Sequence, residues 1–185
     1  MKTNIFASIK LTLVTLVFFS VLYPALVWAI AQLAPNGGRG EVVMANGKKY
    51  YANIGQTFTL DQYFNSRPSA VGYTAAGSGG SNNGPSNPEY LGTVQARIDT
   101  FLIHNPGVGK KDIPVELVTA SGSGLDPDIS PKAALVQVKR IAAVRKVSEE
   151  KVKQIIESNT EKPLLGLFGP EKVNVLSLNL ALEKL

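Results

Sequence analysis

The sequence predicts an α+β protein, in which one N-terminal transmembrane helix precedes a single mixed α/β domain. Three observations indicate this class. A long uncharged apolar run opens the chain, three later segments combine helix-capping residues with helical apolar spacing, and short segments around them have the composition of strands. The 185 residues are 44% hydrophobic, which is enough to build a core.

The apolar run is the strongest local signal. Residues 11–38 carry no charge, and residues 11–33 are long enough to cross a hydrocarbon core that needs roughly 20 residues. Pro24 predicts a kink or repair by neighbouring membrane helices. The alternative is a cleaved signal peptide, because residues 29–31 (AIA) fit a cleavage pattern. The run exceeds the roughly 7 to 15 apolar residues of a signal peptide, so we expect a retained anchor.

The charges near the helix predict its orientation. Lys2 and Lys10, together with the amino terminus, place the leader, residues 1–10, in the cytoplasm. A glycine-rich spacer follows at residues 34–40. Residues 41–185 are then expected to form a domain outside the cytoplasm.

Strands are predicted at three places. The segment EVVMANGKKYYANIG has two short strands about a turn at Asn46 and Gly47, which suit a tight hairpin. The segment VELVTAS is predicted as a buried strand or extended run. The tail VNVLSLNLAL alternates apolar and other residues, and we expect a final strand there.

Helix-start chemistry recurs three times. Asn87-Pro88-Glu89 offers a cap, a first-position proline and an acid that favours the helix dipole, and Asn105-Pro106-Gly107 ends that helix. Ser130-Pro131 begins a second helix, whose predicted apolar side includes Leu135 and Val144. Ser148 caps a third. The Gly, Ser and Asn-rich segment before Asn87 has the composition of a flexible linker.

Composition narrows the chemistry. The chain has no cysteine and one histidine, His104, which excludes thiolate metal sites, disulfides and multi-histidine zinc sites. The net charge is +5, but its basic residues are scattered, so the sequence favours membrane or anionic contact and not nucleic acid.

The segment SGSGLDPDISPKAALVQ, residues 121–137, has two readings. Its glycines and serines are typical of a phosphate loop, but no Walker motif or dinucleotide fingerprint is present. Asp126 and Asp128 are spaced like calcium ligands, but the further ligands of a calcium loop are missing. We therefore predict a turn leading into a helix, with no metal site and no catalytic residue. A serine triad would have to use His104, which the pattern places at a helix end.

Taken together, several blocks resemble one family. These are IGQTF, YFNSRPSA, SGGSNNGPSNPEY, PVELVTASGSGLDPDISPKAALVQVKRIAAVR and FGPEKVNVLSLNLAL, in this order after one membrane helix. They are similar to the C subunits of the Kdp potassium-transporting P-type ATPases over nearly the whole chain. Many members of that family carry histidine where this chain has Asp128, which argues against an indispensable ligand at that position.

The resemblance implies an accessory subunit of an ATP-driven, high-affinity potassium uptake complex in the bacterial inner membrane. It implies three partners: a channel-like A subunit, a P-type B subunit that hydrolyses ATP, and a small single-helix subunit. It also implies a catalytic chaperone that raises the ATP affinity of the B subunit, which makes ATP a ligand by resemblance only. The alternatives are a signal-anchored extracytoplasmic hydrolase and a free-standing ligand-binding module.

Six polar residues in the shared blocks are candidate contacts with a partner or ligand. A structural role is the alternative for each, such as bracing a loop or satisfying buried backbone groups. The six are Arg67, Asn82, Asn87, Asp126, Gln137 and Arg140.

Overall fold

The computed structural model describes residues 2–45 and 47–185 and begins with a long helix. Helix α1 (Lys2–Val17) continues through a π-helical turn, Phe18–Leu22, into α2 (Tyr23–Ala31). Within the described residues, Asn4–Ala31 is the one helix long and apolar enough to span a membrane. A helix of this length extends about 42 Å, more than the roughly 30 Å of a bilayer core.

The π-helical turn lies just before Pro24, which has no N–H to donate. The Tyr23 N–H donates to the Phe18 carbonyl, five residues back, so the helix widens by one residue there. The sequence predicted a kink at Pro24 or repair by neighbouring membrane helices, and the structure has this π-helical turn directly before Tyr23 and Pro24.

By contacts the chain divides into two units, Met1–Val43 and Met44–Leu185. A short 3₁₀ turn, Pro35–Gly38, follows the helix. Strands β1 (Val42–Ala45) and β2 (Lys48–Tyr51) form a two-stranded sheet, as predicted. The predicted turn between them includes Asn46, which lies outside the described residues.

In the described residues of the folded unit Met44–Leu185, five further α-helices and a small sheet are present. The helices are α3 (Pro88–His104), α4 (Pro131–Leu135), α5 (Val138–Arg145), α6 (Glu149–Ser158) and α7 (Val175–Leu182). The strands are β3 (Asp128–Ile129), β4 (Thr160–Glu161) and β5 (Lys172–Asn174), in the antiparallel order β3-β5-β4. In the register, Val173 lies opposite both Ile129 and Thr160. This mixed unit after one apolar helix confirms the predicted fold class.

The predicted helix caps are confirmed. The side chains of Asn87, Ser130 and Ser148 accept hydrogen bonds from backbone N–H groups in the first turns of α3, α4 and α6. Helix α3 ends at His104, immediately before the predicted stop.

Three other predictions were wrong. Only Val173 and Asn174 of the tail lie in a strand, at the end of β5. Helix α7 then begins, because the Asn174 side chain accepts a hydrogen bond from the Ser177 N–H. Val175, Leu178 and Leu182 are buried at helical spacing, which fits the pattern as well as alternation does.

The second wrong prediction concerned VELVTAS, which forms a 3₁₀ turn, Val115–Leu117, stabilised by local backbone hydrogen bonds. The third concerned the helix after Ser130, which is interrupted at Val136 and Gln137 and continues as α5. Leu135 and Val144 are exposed and not part of its buried face, whereas Ala134, Val138 and Ile141 are buried.

The core lies between α4 to α7 and the three-stranded sheet. Ala133, Ile141, Val152, Val173 and Leu178 have essentially no exposed surface. Three side chains from other segments join this core: Phe64, Phe101 and Leu117. Consequently the long segment between β2 and α3, which has no strand or helix, is attached to the core at Phe64.

Candidate functional site

The structure brings four of the six predicted contact residues into two polar clusters. Gln137 and Arg140 form the first cluster, beside the segment 61–65. Arg67 and Asp126 form the second, in which the segment 66–73 meets the loop 121–126.

Gln137 lies at the break between α4 and α5 and is completely buried. Its Oε1 accepts from the Asn65 N–H at 2.8 Å and from Arg140 Nη2 at 2.7 Å. Its Nε2 donates to the carbonyls of Ala133 at 3.0 Å and Asn65 at 3.4 Å. One amide side chain thus satisfies both backbone groups of Asn65, as a neighbouring strand would.

Arg140 is buried next to Gln137 and donates to segment 61–65 from most of its guanidinium. Nη1 donates to the carbonyl oxygens of Asp61 and Tyr63, the latter at 3.0 Å, and Nη2 donates to Asn65 Oδ1 at 2.9 Å. Burial lowers the pKa of Arg140, and the nearby Asp61 carboxylate opposes that shift. Arginine side chains are not deprotonated in proteins, so the group keeps its charge at neutral pH.

Arg140 also connects this cluster to the end of α3. Its Nε donates to Asn105 Oδ1 at 3.0 Å, and Asn105 Nδ2 donates to the Phe101 carbonyl at 2.9 Å. Asn105 is itself buried. Asn105, which belongs to the predicted helix stop, therefore supplies a hydrogen-bond acceptor for the buried guanidinium.

A third buried amide completes the attachment of this segment. Asn179 on α7 accepts from the Phe64 N–H at 2.8 Å and donates to the Phe64 carbonyl at 3.0 Å. Gln137, at the break between α4 and α5, and Asn179 on α7 thus replace the sheet hydrogen bonds that Asn65 and Phe64 lack among the described residues.

In the second cluster, Arg67 Nη1 donates to Asp126 Oδ2 at 2.6 Å, and both side chains are about a quarter exposed. Asp126 Oδ1 also accepts from the Asp128 N–H at 3.0 Å. The Tyr73 hydroxyl donates to the Arg67 carbonyl, and burial raises the pKa of Tyr73. The pair therefore joins two loops and at the same time shapes the turn that leads to β3.

The glycines of the loop 121–126 permit close approach of another segment. Gly124 has φ +67°, and a Cβ there would lie 2.6 Å from Val71 Cγ2 and 2.8 Å from the Gly79 carbonyl oxygen. The Gly124 N–H donates to Ser121 Oγ at 2.9 Å within the same loop. Across from it, a Cβ at Gly55 would lie 2.5 Å from the Asp126 carbonyl oxygen. These are the contacts of a turn packed against two other segments.

Asn82 and Asn87 do not join either cluster. Asn82 is exposed and adopts φ +53°, a left-handed conformation that asparagine tolerates better than most residues. Asn87 is the exposed cap of α3, where its Oδ1 accepts from the Tyr90 N–H at 3.0 Å. Of the two, Asn87 therefore has a local structural role, as a helix cap.

An open groove of about 520 Å³ lies between α3 and segment 58–65. Its polar lining includes Asp61, Asn65, Arg97, His104 and Asn105. His104 Nδ1 lies 2.8 Å from Asp61 Oδ1, and both side chains are nearly half exposed. The predicted position of His104 at a helix end is confirmed, whereas Asp61, Asn65 and Asn105 were not predicted to lie at a site. The asparagine in the helix stop was the available signal for Asn105.

The sequence predicted no metal site, a prediction that concerns how metal-ligating side chains are grouped. Over residues 2–45 and 47–185, no three His, Asp or Glu side chains are grouped so that they could hold a metal ion. Lys172 Nζ lies 2.9 Å from Asp128 Oδ2, and this hydrogen bond raises the pKa of Lys172. Asp128 therefore faces a cation supplied by β5.

The chain thus combines one helix that is long and apolar enough to span a membrane with a folded α/β unit, whose loops are held by buried polar side chains. Residues 5–184 match the family described as "K+-transporting ATPase, c chain". The potassium-transporting ATPase KdpC subunit of Bacteroides fragilis is 59% identical, over 100% of this chain and 98% of that relative.

Two further relatives have the same description. The KdpC subunit of Bacteroides thetaiotaomicron is 57% identical over 100% of this chain and 99% of its own length, and that of Bacillus cytotoxicus is 44% identical over 99% and 97%. The chain therefore belongs to the KdpC family, the accessory C subunits of potassium-transporting ATPases.

Proposed function

We propose that this chain is a non-catalytic subunit that supports assembly and coupling in an ATP-driven, high-affinity potassium uptake complex. The observation that carries the proposal is the family match across residues 5–184, which includes both the apolar helix and the folded unit. The polar clusters agree with it, because Gln137, Arg140 and Asp126 use their polar atoms to hold loops in place. Family membership supports this proposal over a signal-anchored hydrolase or a free-standing binding module.

The proposed partners are the channel-like A subunit, the P-type B subunit and the small single-helix subunit of the same complex. The helix Asn4–Ala31 supplies the surface for docking in the bilayer, since its large apolar side chains are exposed. Because lipid tails are as apolar as the helix surface, the hydrophobic effect does not drive helices together in a bilayer, and such docking depends on close packing. Its remaining surface contacts membrane lipid.

Docking of this helix can be tested by replacing it with an unrelated membrane helix. The exchanged chain keeps its tether and its folded unit. We expect it to recover less of the A and B subunits than the full-length chain does when the complex is purified in mild detergent. Equal recovery would contradict docking through the native helix.

The proposed orientation places residues 1–10 in the cytoplasm, residues 11–33 in the inner membrane, and the spacer 34–40 and domain 41–185 outside. The cations Lys2 and Lys10 support it. Since the chain has no cysteine, an introduced Ser86→Cys would be the single thiol, on an exposed loop. We expect a membrane-impermeant maleimide to label this cysteine in intact spheroplasts. If the cysteine were labelled only after lysis, the domain would lie in the cytoplasm and the proposed orientation would be wrong.

As a catalytic chaperone, the subunit would raise the ATP affinity of the B subunit. In the proposed orientation the folded unit and cytoplasmic ATP are on opposite sides of the membrane, so we assign this effect to the assembled complex and not to direct ATP contact. The test compares KM for ATP of the complex with and without this subunit. We expect KM to be higher without it. Photolabelling of this subunit by azido-ATP would instead establish direct contact.

A further inference from the structure

One exposed turn is unusually apolar. Residues 163–169, PLLGLFG, connect β4 to β5, and we refer to them as the apolar hairpin. The Leu164 and Phe168 backbones exchange two hydrogen bonds of 3.0 Å each in an antiparallel bridge. Leu165 and Gly166 form the tip, with φ values of +56° and +73°. The turn therefore has a defined backbone.

Four large apolar side chains of this hairpin are left in solvent. The exposed fractions are 69% for Leu164, 80% for Leu165, 81% for Leu167 and 63% for Phe168. Other exposed large apolar residues of the folded unit, such as Met44, Leu91 and Ile103, are scattered along the chain. Isolated residues of that kind are ordinary, but a contiguous apolar group on a soluble surface marks an interaction site.

The conformation at the tip gives a second, independent reason. A φ of +56° is strained for leucine, whose Cβ is crowded in the left-handed region. Asparagine or glycine would relieve that strain and would also suit water. Leucine at Leu165 is thus unfavourable both for the local fold and for a position in solvent. Both costs are offset if the tip is buried against another molecule.

The hairpin is presented by a rigid base. On the β5 side, Val173 is completely buried and pairs with both β3 and β4. Lys172 forms ion pairs with Asp128 at 2.9 Å and Glu161 at 3.3 Å. An element fixed before association loses little conformational entropy when it binds.

The charges beside the hairpin distinguish a protein partner from a lipid surface. Glu161 and Lys162 precede it, and Glu171 and Lys172 follow it, so these flanking charges cancel. A loop that binds anionic lipid headgroups has a basic excess beside its apolar tip. The neutral flank lacks that attraction. The family assignment, in contrast, provides other subunits of the same ATPase as partners.

We propose that the apolar hairpin is a docking element that inserts Leu165 and Leu167 into an apolar pocket of another subunit of the same ATPase. This inference rests on the proposed function, because it takes the partner from the complex. The apolar tip fills the pocket, and the ion pairs at its base fix the angle at which it enters.

The test uses Leu165→Asn combined with Leu167→Gln in the full-length chain, expressed with the other subunits. Asparagine suits the left-handed tip, so we expect the variant to fold with an unchanged or slightly raised Tm. We expect recovery of the partner subunits to fall about tenfold at limiting expression, as for loss of central interface residues. The matched control, Ile103→Gln with Val115→Gln, changes two side chains of similar exposure elsewhere and should recover the wild-type amount.

Equal recovery by the hairpin variant and the wild type would overturn the inference and leave the proposed function intact. If the wild type itself recovered no partner, the proposed function would fail. A photoreactive residue at position 167 adds a direct measurement in the assembled complex. We expect a covalent adduct with another subunit, which the same probe at position 103 does not give. If the probe at position 167 formed adducts with lipid alone, the hairpin would contact the membrane, and the proposed pocket on another subunit would be wrong.

Discussion

Gln137 holds the backbone of Asn65 from both sides, accepting from its N–H at 2.8 Å and donating to its carbonyl at 3.4 Å. The two residues are 72 positions apart, and Gln137 is fully buried. An amide side chain therefore makes the two backbone hydrogen bonds that a neighbouring strand would make, in a segment that has no neighbouring strand among the described residues. The same arrangement recurs between Asn179 and Phe64, so the fold of this loop depends on two buried amides.

The first prediction is that Gln137→Leu destabilises the folded unit by about 2–4 kcal/mol, because it leaves the Asn65 backbone and part of Arg140 without partners in the core. Urea unfolding of the full-length chain in mild detergent measures the change. Gln95→Leu is the matched control, since Gln95 makes its hydrogen bonds on the exposed face of α3. A loss no larger than that of the control would show that Gln137 is not structural.

The second prediction concerns the coupling between Arg67 and Asp126. A double-mutant cycle with Arg67→Met and Asp126→Asn should give a coupling free energy of about 1 kcal/mol, since the pair is short but partly exposed. Urea midpoints of the wild type, both single variants and the double variant supply it. Purely additive effects would mean that the two loops are held by other contacts.

A third prediction tests the cap of α3. Asn87→Ala should cost about 1 kcal/mol, because the Tyr90 N–H loses its acceptor at the start of the helix. Ser86→Ala, one residue earlier and also exposed, should change stability little. Far-UV circular dichroism during urea unfolding follows both variants. Equal urea midpoints for the two variants would show that the Asn87 cap does not stabilise the helix.

The fourth prediction follows from Glu183. The Tyr63 hydroxyl and the Arg145 guanidinium hold the pKa of Glu183 below its ordinary value. A lowered carboxyl pKa contributes stability that is present above the unfolded value, about 4.3, and is lost as the pH falls through the folded value. Glu183→Gln should therefore lower stability at pH 7 and lose less on acidification than the wild type.

Thermal unfolding between pH 3 and pH 7 measures this difference. Glu157→Gln, which removes another exposed carboxylate, is the control. If Glu183→Gln and the wild type had parallel acid profiles, the interaction with Tyr63 and Arg145 would contribute nothing to stability.

The sequence was sufficient where structure depends on near neighbours. Asn87, Ser130 and Ser148 each cap a helix whose first turn lies within three residues, so spacing alone located them. The tail was misread because Val175, Leu178 and Leu182 satisfy helical spacing while their neighbours satisfy alternation. The cap at Asn174 favoured the helix.

The candidate site was predicted only in part, for a different physical reason. Gln137 and Arg140 were identified as notable polar residues, but their partners are backbone groups of segment 61–65, dozens of positions away. Backbone acceptors have no signature in a sequence. The groove beside His104 was not predicted either, because Asp61 approaches that histidine only in the folded chain.

The most direct test of the proposed assembly and coupling role is the potassium-stimulated ATPase activity of the purified complex when this subunit is shortened to residues 1–40. That version retains the apolar helix and removes the folded unit. We predict that the complex loses most of its potassium-stimulated activity relative to the complex with the full-length chain. Full potassium-stimulated activity with residues 1–40 alone would contradict a coupling role for the folded unit.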